Sequence, residues 1–257
     1  MAYSANKDAR VIPVNDYGVE VASGSLLGHS GVNKFGRNTS CAAGASEQVW
    51  DGSTAYSFPA TALITSMSQT VNQAAMVSGD IEIQGLDANW LAVTQTVALN
   101  GTNTTTAVTL TTPLIRVFRM KVLENVVVDS PVRVHNVGET VDYAIIGIGF
   151  NQTQMAIYTT PAATKAYITS YYAVHNPTQG QTFTSNDIGL WLQDNANGYA
   201  PQLTHISGVV VDGHFNHPFY PYIVVGEKTD IFITSNPTGT VADVSAGFDL
   251  VLVQDQY

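Results

Sequence analysis

The sequence LIRVFRMKVL, residues 114–123, decides the fold class, because its side chains alternate between two faces at a period of two residues. One face is apolar apart from Arg116, and the other begins apolar and ends with Arg119 and Lys121. A strand that is apolar on both faces suits the interior of a two-sheet sandwich or a subunit contact.

Short runs rich in β-branched and aromatic residues continue along the chain from residue 48, and turn residues separate them. Together with 114–123 they are 62–66, 81–85, 93–99, 107–111, 132–135, 142–147, 155–158, 165–174, 188–192, 206–211, 223–225, 230–234 and 248–253. No run has a convincing helical period, so the sequence predicts an all-β, antiparallel β-sandwich that is jelly-roll-like, with no helix longer than about three turns. Asn100-Gly101 predicts a hairpin between two of these runs.

Two regions differ in composition. Residues 1–45 are rich in glycine and small polar side chains, which favours an extended N-terminal arm that gains its order from contacts. Residues 46–257 are assigned to the β-sandwich, with a possible subdivision near residue 138, although one large sandwich is preferred. Deletion of residues 1–40 is then expected to leave the sandwich folded.

Charge is scarce and predominantly negative. Hydrophobic residues make up 45% and charged residues 12% of the chain, compared with a usual charged share of roughly 25%. A polar but uncharged surface suits long-lived contacts, because an amide or a hydroxyl is easier to bury than an ion. The net charge of −10 argues against a nucleic-acid partner. We expect Arg116, Arg119 and Lys121 to solvate an exposed strand edge.

The segment Met1–Arg10 is polar, and no apolar run approaches the length of a membrane span. We therefore expect no membrane partner and a chain that stays in the cytoplasm until it assembles or is released. Cys41 is the only cysteine, so an intrachain disulfide is impossible, and its thiol is interpreted as inert.

The best metal candidate is the pair His214 and His217, but Gly213 and Pro218 indicate a turn, where this spacing guarantees nothing. No metal is therefore predicted. His205 is interpreted as a surface or sheet-edge residue.

Other motifs do not predict chemistry. The two glycines in GIG, residues 147–149, lack the third glycine and the helix of a dinucleotide site, and are interpreted as allowing a close approach or a bulge. Carboxylates that could face each other are Asp80 with Glu82 and Glu227 with Asp230. Acidic residues are common at turns and edges, so we predict no catalytic, cofactor-binding or metal-binding residues and no enzyme activity.

An aromatic segment could form a surface that stacks on carbohydrate or contacts a subunit, although core packing is the preferred interpretation. Its members are Phe215, Phe219, Tyr220 and Tyr222.

Several stretches resemble structural proteins of tailed bacteriophages. They are 81–90 (IEIQGLDANW), 94–102 (TQTVALNGT), 148–153 (IGFNQT), 157–161 (IYTTP), 165–168 (KAYI) and 227–231 (EKTDI). The resemblance covers much of residues 46–235 and implies a virion protein. The first expectation is a head decoration or cement protein, and the alternative is a tail or tail-fibre protein that binds a host surface glycan.

The same resemblance implies the partners, which are the major capsid protein or other virion proteins. It also implies a homo-oligomer, with a trimer favoured, because a cyclic oligomer would bury the edges that an open sandwich leaves exposed. An enzyme that acts on polysaccharide is the least favoured reading.

Overall fold

The structure, a computed structural model, describes residues 16–52, 55–176, 185–209 and 213–255. In this part of the chain the regular elements are a short helix, α1 (Tyr17–Ala22), a single 3-10 turn (Ala74–Met76), and strands that pair in antiparallel fashion. The strands are β1 (His29–Cys41), β2 (Glu47–Gln48), β3 (Ile64–Gln69), β4 (Asp80–Leu86), β5 (Ala92–Ala98), β6 (Val108–Leu114), β7 (Arg116–Val122), β8 (Val132–His135), β9 (Asp142–Ile146), β10 (Ile157–Thr159), β11 (Thr164–Asn176), β12 (Ser185–Asp194), β13 (Gln202–Val209), β14 (His214–Val225), β15 (Thr229–Thr238) and β16 (Ala242–Gln254).

Strands β1, β2 and β10–β16 form one sandwich, here called the outer sandwich. Its sheet A has the strand order β1-β16-β11-β14, and its sheet B has the order β10-β15-β12-β13, with β2 beside β15. Side chains from both inner faces, such as Ile168 and Phe248 from sheet A and Ile188 and Ile231 from sheet B, fill the first hydrophobic core.

Residues 55–155 form a second sandwich, here called the inserted sandwich. Sheet C has the order β6-β3-β8-β9, and sheet D has the order β5-β4-β7. The second core lies between these sheets and includes Ile64 and Val132 from sheet C and Ile83 and Met120 from sheet D. The structure therefore corrects the expectation of one large sandwich with a possible subdivision near residue 138. There are two sandwiches, and the second is inserted between β2 and β10.

The chain leaves the outer sandwich and returns to it at the same place. The amide of Ala156 donates to the carbonyl of Val49 at 2.9 Å, and the amide of Asp51 donates to the carbonyl of Gln154 at 2.9 Å. Strand β1 crosses this point at Gly36, where a Cβ would lie 2.3 Å from the carbonyl oxygen of Val49. Only glycine permits so close an approach of two backbones.

A buried ion pair joins the two sandwiches. Arg116 of β7 and Asp230 of β15 form two hydrogen bonds, Nε to Oδ1 at 2.7 Å and Nη2 to Oδ2 at 2.8 Å. Both residues are at most 2% exposed, so Arg116 does not solvate an edge and that expectation is wrong. The guanidinium also lies over the rings of Phe58 and Trp90, at 5.3 and 4.9 Å from their centroids.

The predicted all-β class is confirmed, and each predicted run overlaps a strand. The predicted hairpin at Asn100-Gly101 is wrong, because β5 pairs with β4 in sheet D while β6 pairs with β3 in sheet C. The Asn100 side chain instead accepts hydrogen bonds from the amides of Thr102 and Asn103. This turn therefore carries the chain from one sheet to the other.

Much of the predicted N-terminal arm is a strand of sheet A. Strand β1 pairs with β16 from His29 to Cys41, and Cys41 is fully buried. Residues 1–15 of that arm lie outside the described residues. The sequence of residues 29–41 did not predict a strand, because its inward-facing positions carry polar or small residues, among them Lys34, Gly36 and Asn38.

Deletion of residues 1–40 is now expected to prevent folding, because β16 loses one of its two partner strands along almost its whole length. Deletion of residues 1–28, which keeps β1, is the matched control and should leave a cooperative thermal transition. Near-ultraviolet circular dichroism and thermal melting of both proteins test this. A native spectrum for the protein that lacks residues 1–40 would show that β1 is not needed for folding.

Candidate assembly surface

The outer sandwich has an uncharged edge, formed by β13 of sheet B and β14 of sheet A. Each of these strands is the last in its sheet, so one side of its backbone is unpaired within the described residues. Neither contains Lys, Arg, Asp or Glu, and between Asp194 and Glu227 the only charged residue is Asp212. Soluble proteins usually protect such edges with charge, proline or a covering segment. Strand β14 contains Pro218 and Pro221, whereas β13 contains neither charge nor proline.

Large apolar side chains are exposed along this edge, which we call the β13–β14 edge. Leu203 and Ile206 of β13 and Val224 of β14 are each between two-fifths and three-fifths exposed. Tyr220 is 98% exposed, which leaves its ring without packing in the single chain. Exposed apolar side chains on edge strands are candidate contacts for a partner.

A cluster of rings supports the edge from the inside. The ring of Phe219 stacks on Tyr171 at 5.7 Å, and the rings of His205 and His217 are 4.4 Å apart. The Tyr171 hydroxyl donates to Ser207 Oγ at 2.8 Å and lies 2.6 Å from His205 Nδ1. Since that hydroxyl has one hydrogen, it accepts from Nδ1 of His205.

Burial and the neighbouring ring of His217 both lower the pKa of His205. The His205 ring is therefore favoured in its neutral form. The expectation that His205 lies at a sheet edge is confirmed, but its ring packs inward.

The aromatic segment is divided between the two faces of β14. Phe215 and Phe219 pack against Tyr171, whereas Tyr220 and Tyr222 point outward. Core packing is thus correct for the first two and a surface role remains open for the last two.

His214 and His217 do not converge. His214 is exposed, while the ring of His217 packs against His205 and Tyr171. Among the described residues there is no group of three or more His, Cys, Asp or Glu side chains arranged to hold a metal ion.

A second surface is a groove across the outer face of sheet A, beneath α1. Its main cavity has a volume of about 520 Å³, and a neighbouring cavity of about 280 Å³ lies beside it. Tyr17 of α1 and Tyr222 of β14 line both cavities. Asp249 on the floor accepts hydrogen bonds from Asn33 Nδ2 and, at 2.8 Å, from Ser170 Oγ. We call this surface the tyrosine groove.

In the candidate carboxylate pairs, Glu82, Glu227 and Asp230 each interact with a different group. Glu82 pairs with Lys121 at 3.1 Å, Glu227 accepts from the amide of Ala163 at 2.6 Å, and Asp230 binds Arg116. Burial raises the pKa of the Cys41 thiol to about 12, which disfavours the reactive thiolate.

Ser68 and His135, which no sequence motif indicates, lie together in sheet C, with Oγ and Nε2 2.9 Å apart. Both side chains are fully buried, so substrate has no access to this pair in the structure. His135 Nδ1 lies 2.8 Å from the carbonyl oxygen of Asn136, where a catalytic triad would place a carboxylate. Only the strand positions of these residues in sheet C bring them together.

Comparison of the chain with protein-family models, curated proteins and solved structures finds no match in any of the three. In the described ranges, no helix has the length and apolar character needed to span a bilayer.

Proposed function

We propose that this protein is a structural subunit that assembles with copies of itself through the β13–β14 edge. The observation that carries the proposal is that β13 and β14, each the last strand of its sheet within the described residues, carry exposed apolar side chains and no charged residue. Pairing of β13 with a second copy would satisfy its free backbone groups and bury the apolar side chains along the edge.

Charge favours a second copy as the occupant of this edge. The chain has 20 acidic and 10 basic residues, so two copies repel each other over most of their surfaces. The repulsion is weakest where the contact surface carries no charge. A basic partner would be attracted to other parts of the molecule instead.

We further propose that the outer sandwich is a jelly roll and the protein a bacteriophage virion component. Counted along the chain, the eight main strands of this sandwich are ordered first, eighth, third and sixth in sheet A, and second, seventh, fourth and fifth in sheet B. This order supports the proposal because it is that of the jelly roll, a double sheet common in viral capsid proteins and lectins. Capsid proteins and lectins share this topology, so the strand order supports a virion role and is equally compatible with glycan binding.

Within the virion, the leading proposal is a head decoration or cement protein that contacts the major capsid protein. Such a protein stabilises the head by mass action, because it binds the assembled lattice and not the separate subunits. Copy number in purified particles separates the alternatives. A number comparable to that of the major capsid protein supports the head position, and a much smaller number supports the tail.

The double variant Ile206→Lys with Val224→Lys tests the assembly edge. Both residues are exposed, so the fold should be retained, while the new charges should prevent association. Sedimentation velocity should show an oligomer, with a trimer favoured, for the wild type and a monomer for the double variant. Val137→Lys, which places the same charge on an exposed position of the inserted sandwich, should remain oligomeric.

A wild type that remains monomeric up to the highest soluble concentration would refute self-association. Equal oligomerisation of the double variant would show that the contact lies elsewhere.

The tyrosine groove favours a second candidate function, the binding of a host surface glycan by a tail or tail-fibre protein. Tyrosine rings can pack on the C–H face of a sugar, and a carboxylate held in place, such as Asp249, can accept bonds from neighbouring hydroxyls. The carboxylates of Asp16 and Asp249 would repel anionic glycans, so the expected ligand is a neutral oligosaccharide.

Tyr222→Ala tests this candidate against a panel of neutral oligosaccharides. Loss of one stacking ring, worth about 1 kcal/mol, should weaken binding several-fold to tenfold. Tyr199→Ala, at an exposed position away from the groove, should bind like the wild type. If the wild type binds no member of the panel, or if Tyr222→Ala binds equally well, the groove is not a glycan site.

A further inference from the structure

A single lysine is buried where the two sandwiches meet. Lys34 of β1 is 4% exposed, and its Nζ donates a hydrogen bond to the carbonyl oxygen of Phe118 in β7. In the ranges that the structure describes, no carboxylate forms an ion pair with Lys34. An ammonium group has three donors, so one carbonyl leaves most of its hydrogen-bonding capacity unused.

The surroundings make this position unfavourable for a cation. Burial holds the pKa of Lys34 well below its usual value, and the nearby charge of Arg119 lowers it further. Buried charges in proteins are normally paired, because an unpaired ion loses its hydration without compensation. Among the described residues, Lys34 therefore has no counterion.

A cavity of about 230 Å³ adjoins this lysine. Strand β1 supplies Asn33 and Lys34 to its lining, β4 and β5 supply Gln84 and Thr94, and β7 supplies Arg119. The guanidinium of Arg119 donates to the carbonyl oxygen of Asn33 at 3.1 Å, which fixes its position at the cavity. Lys34 and Arg119, two basic residues, thus line one cavity together with neutral polar residues, in a chain whose net charge is −10.

The acidic residue that shares these neighbours is already bound. Glu82 pairs with Lys121 at 3.1 Å and accepts from Gln84 at 2.8 Å, and its carboxylate is not part of the cavity lining. The lining itself contains no Asp or Glu. The cavity could hold several waters, each of about 30 Å³, so a small oxyanion has room to enter.

We propose that this cavity is a binding site for a small oxyanion, a phosphate or a carboxylate group, held between Lys34 and Arg119. The bound oxygens would accept hydrogen bonds from the ammonium and the guanidinium, which come from different sandwiches. Charge-assisted bonds of this type are short and strong, and Arg is well suited to both groups. The anion would then connect β1 to β7. The inference is independent of the assembly edge and of the tyrosine groove.

Thermal melting in a low-salt zwitterionic buffer, with added sodium phosphate, acetate or chloride at matched ionic strength, tests the proposal. A ligand that binds only the folded state raises Tm, by roughly 3 to 8 °C near saturation for a chain of this size. We expect this rise with phosphate or acetate and not with chloride. A response to phosphate alone identifies a phosphate site, and a response to acetate identifies a carboxylate site.

Lys34→Met should abolish the anion-dependent rise. In buffer without the anion its Tm should equal or exceed that of the wild type, because a buried amine without a counterion is replaced by an apolar side chain of similar volume. Lys165→Met, at an exposed position, is the matched control and should keep the full response. If Lys34→Met does not fold, Arg119→Gln replaces it, and its anion affinity should be several-fold weaker than that of the wild type.

The proposal is overturned if the wild type responds to neither oxyanion. It is equally overturned if Lys34→Met responds like the wild type, or if Arg119→Gln binds the anion with unchanged affinity.

Discussion

The ion pair between Arg116 and Asp230 is the interaction on which the arrangement of the two sandwiches depends. The Asp230 carboxylate also accepts from Thr159 Oγ1 at 2.6 Å and from Asn195 Nδ2 at 2.8 Å. Arg116 Nη1 donates to the carbonyl of Pro59 at 2.6 Å. These hydrogen bonds hold β7 against the outer face of sheet B. A shift between the two strands would separate the buried charges from their partners, which costs free energy.

Apolar packing follows from that placement. Phe232 and Trp191 point outward from sheet B, and their rings stack at 6.4 Å. Phe58 of the inserted unit meets Phe232 at 5.3 Å, so the two cores touch across sheet B. Because the inserted sandwich covers part of the outer face of sheet B, the β13–β14 edge and the outer face of sheet A are the surfaces of the outer sandwich that the described residues leave available to a partner.

Local chemistry made most strands predictable, because alternation and turn residues are visible over a few positions. The insertion was not predictable in that way. Which strands pair depends on contacts between distant residues, such as Val49 with Ala156, and the segments between them give no local signal of it. The same is true of Arg116. The sequence shows that it interrupts an apolar strand face, but it does not show that its partner is Asp230, 114 residues away.

The β13–β14 edge was partly visible in the sequence. The absence of charge between Asp194 and Glu227, apart from Asp212, was a signal that could have located it. The pairing of His205 with His217, and the division of the aromatic segment between two faces, required the register of β14 against β11. Hydrophobicity alone does not distinguish Phe219, which is buried, from Tyr220, which is exposed.

The most direct test of this account is denaturant unfolding of Arg116→Met, of Asp230→Asn and of the double variant. Removal of Arg116 alone leaves a buried, unpaired carboxylate and should lower the free energy of unfolding by about 3 to 5 kcal/mol. The double variant should lose much less than the sum of the single losses, because neither charge then remains buried alone. A loss below about 1 kcal/mol for Arg116→Met, the size expected of an exposed ion pair, would contradict the account.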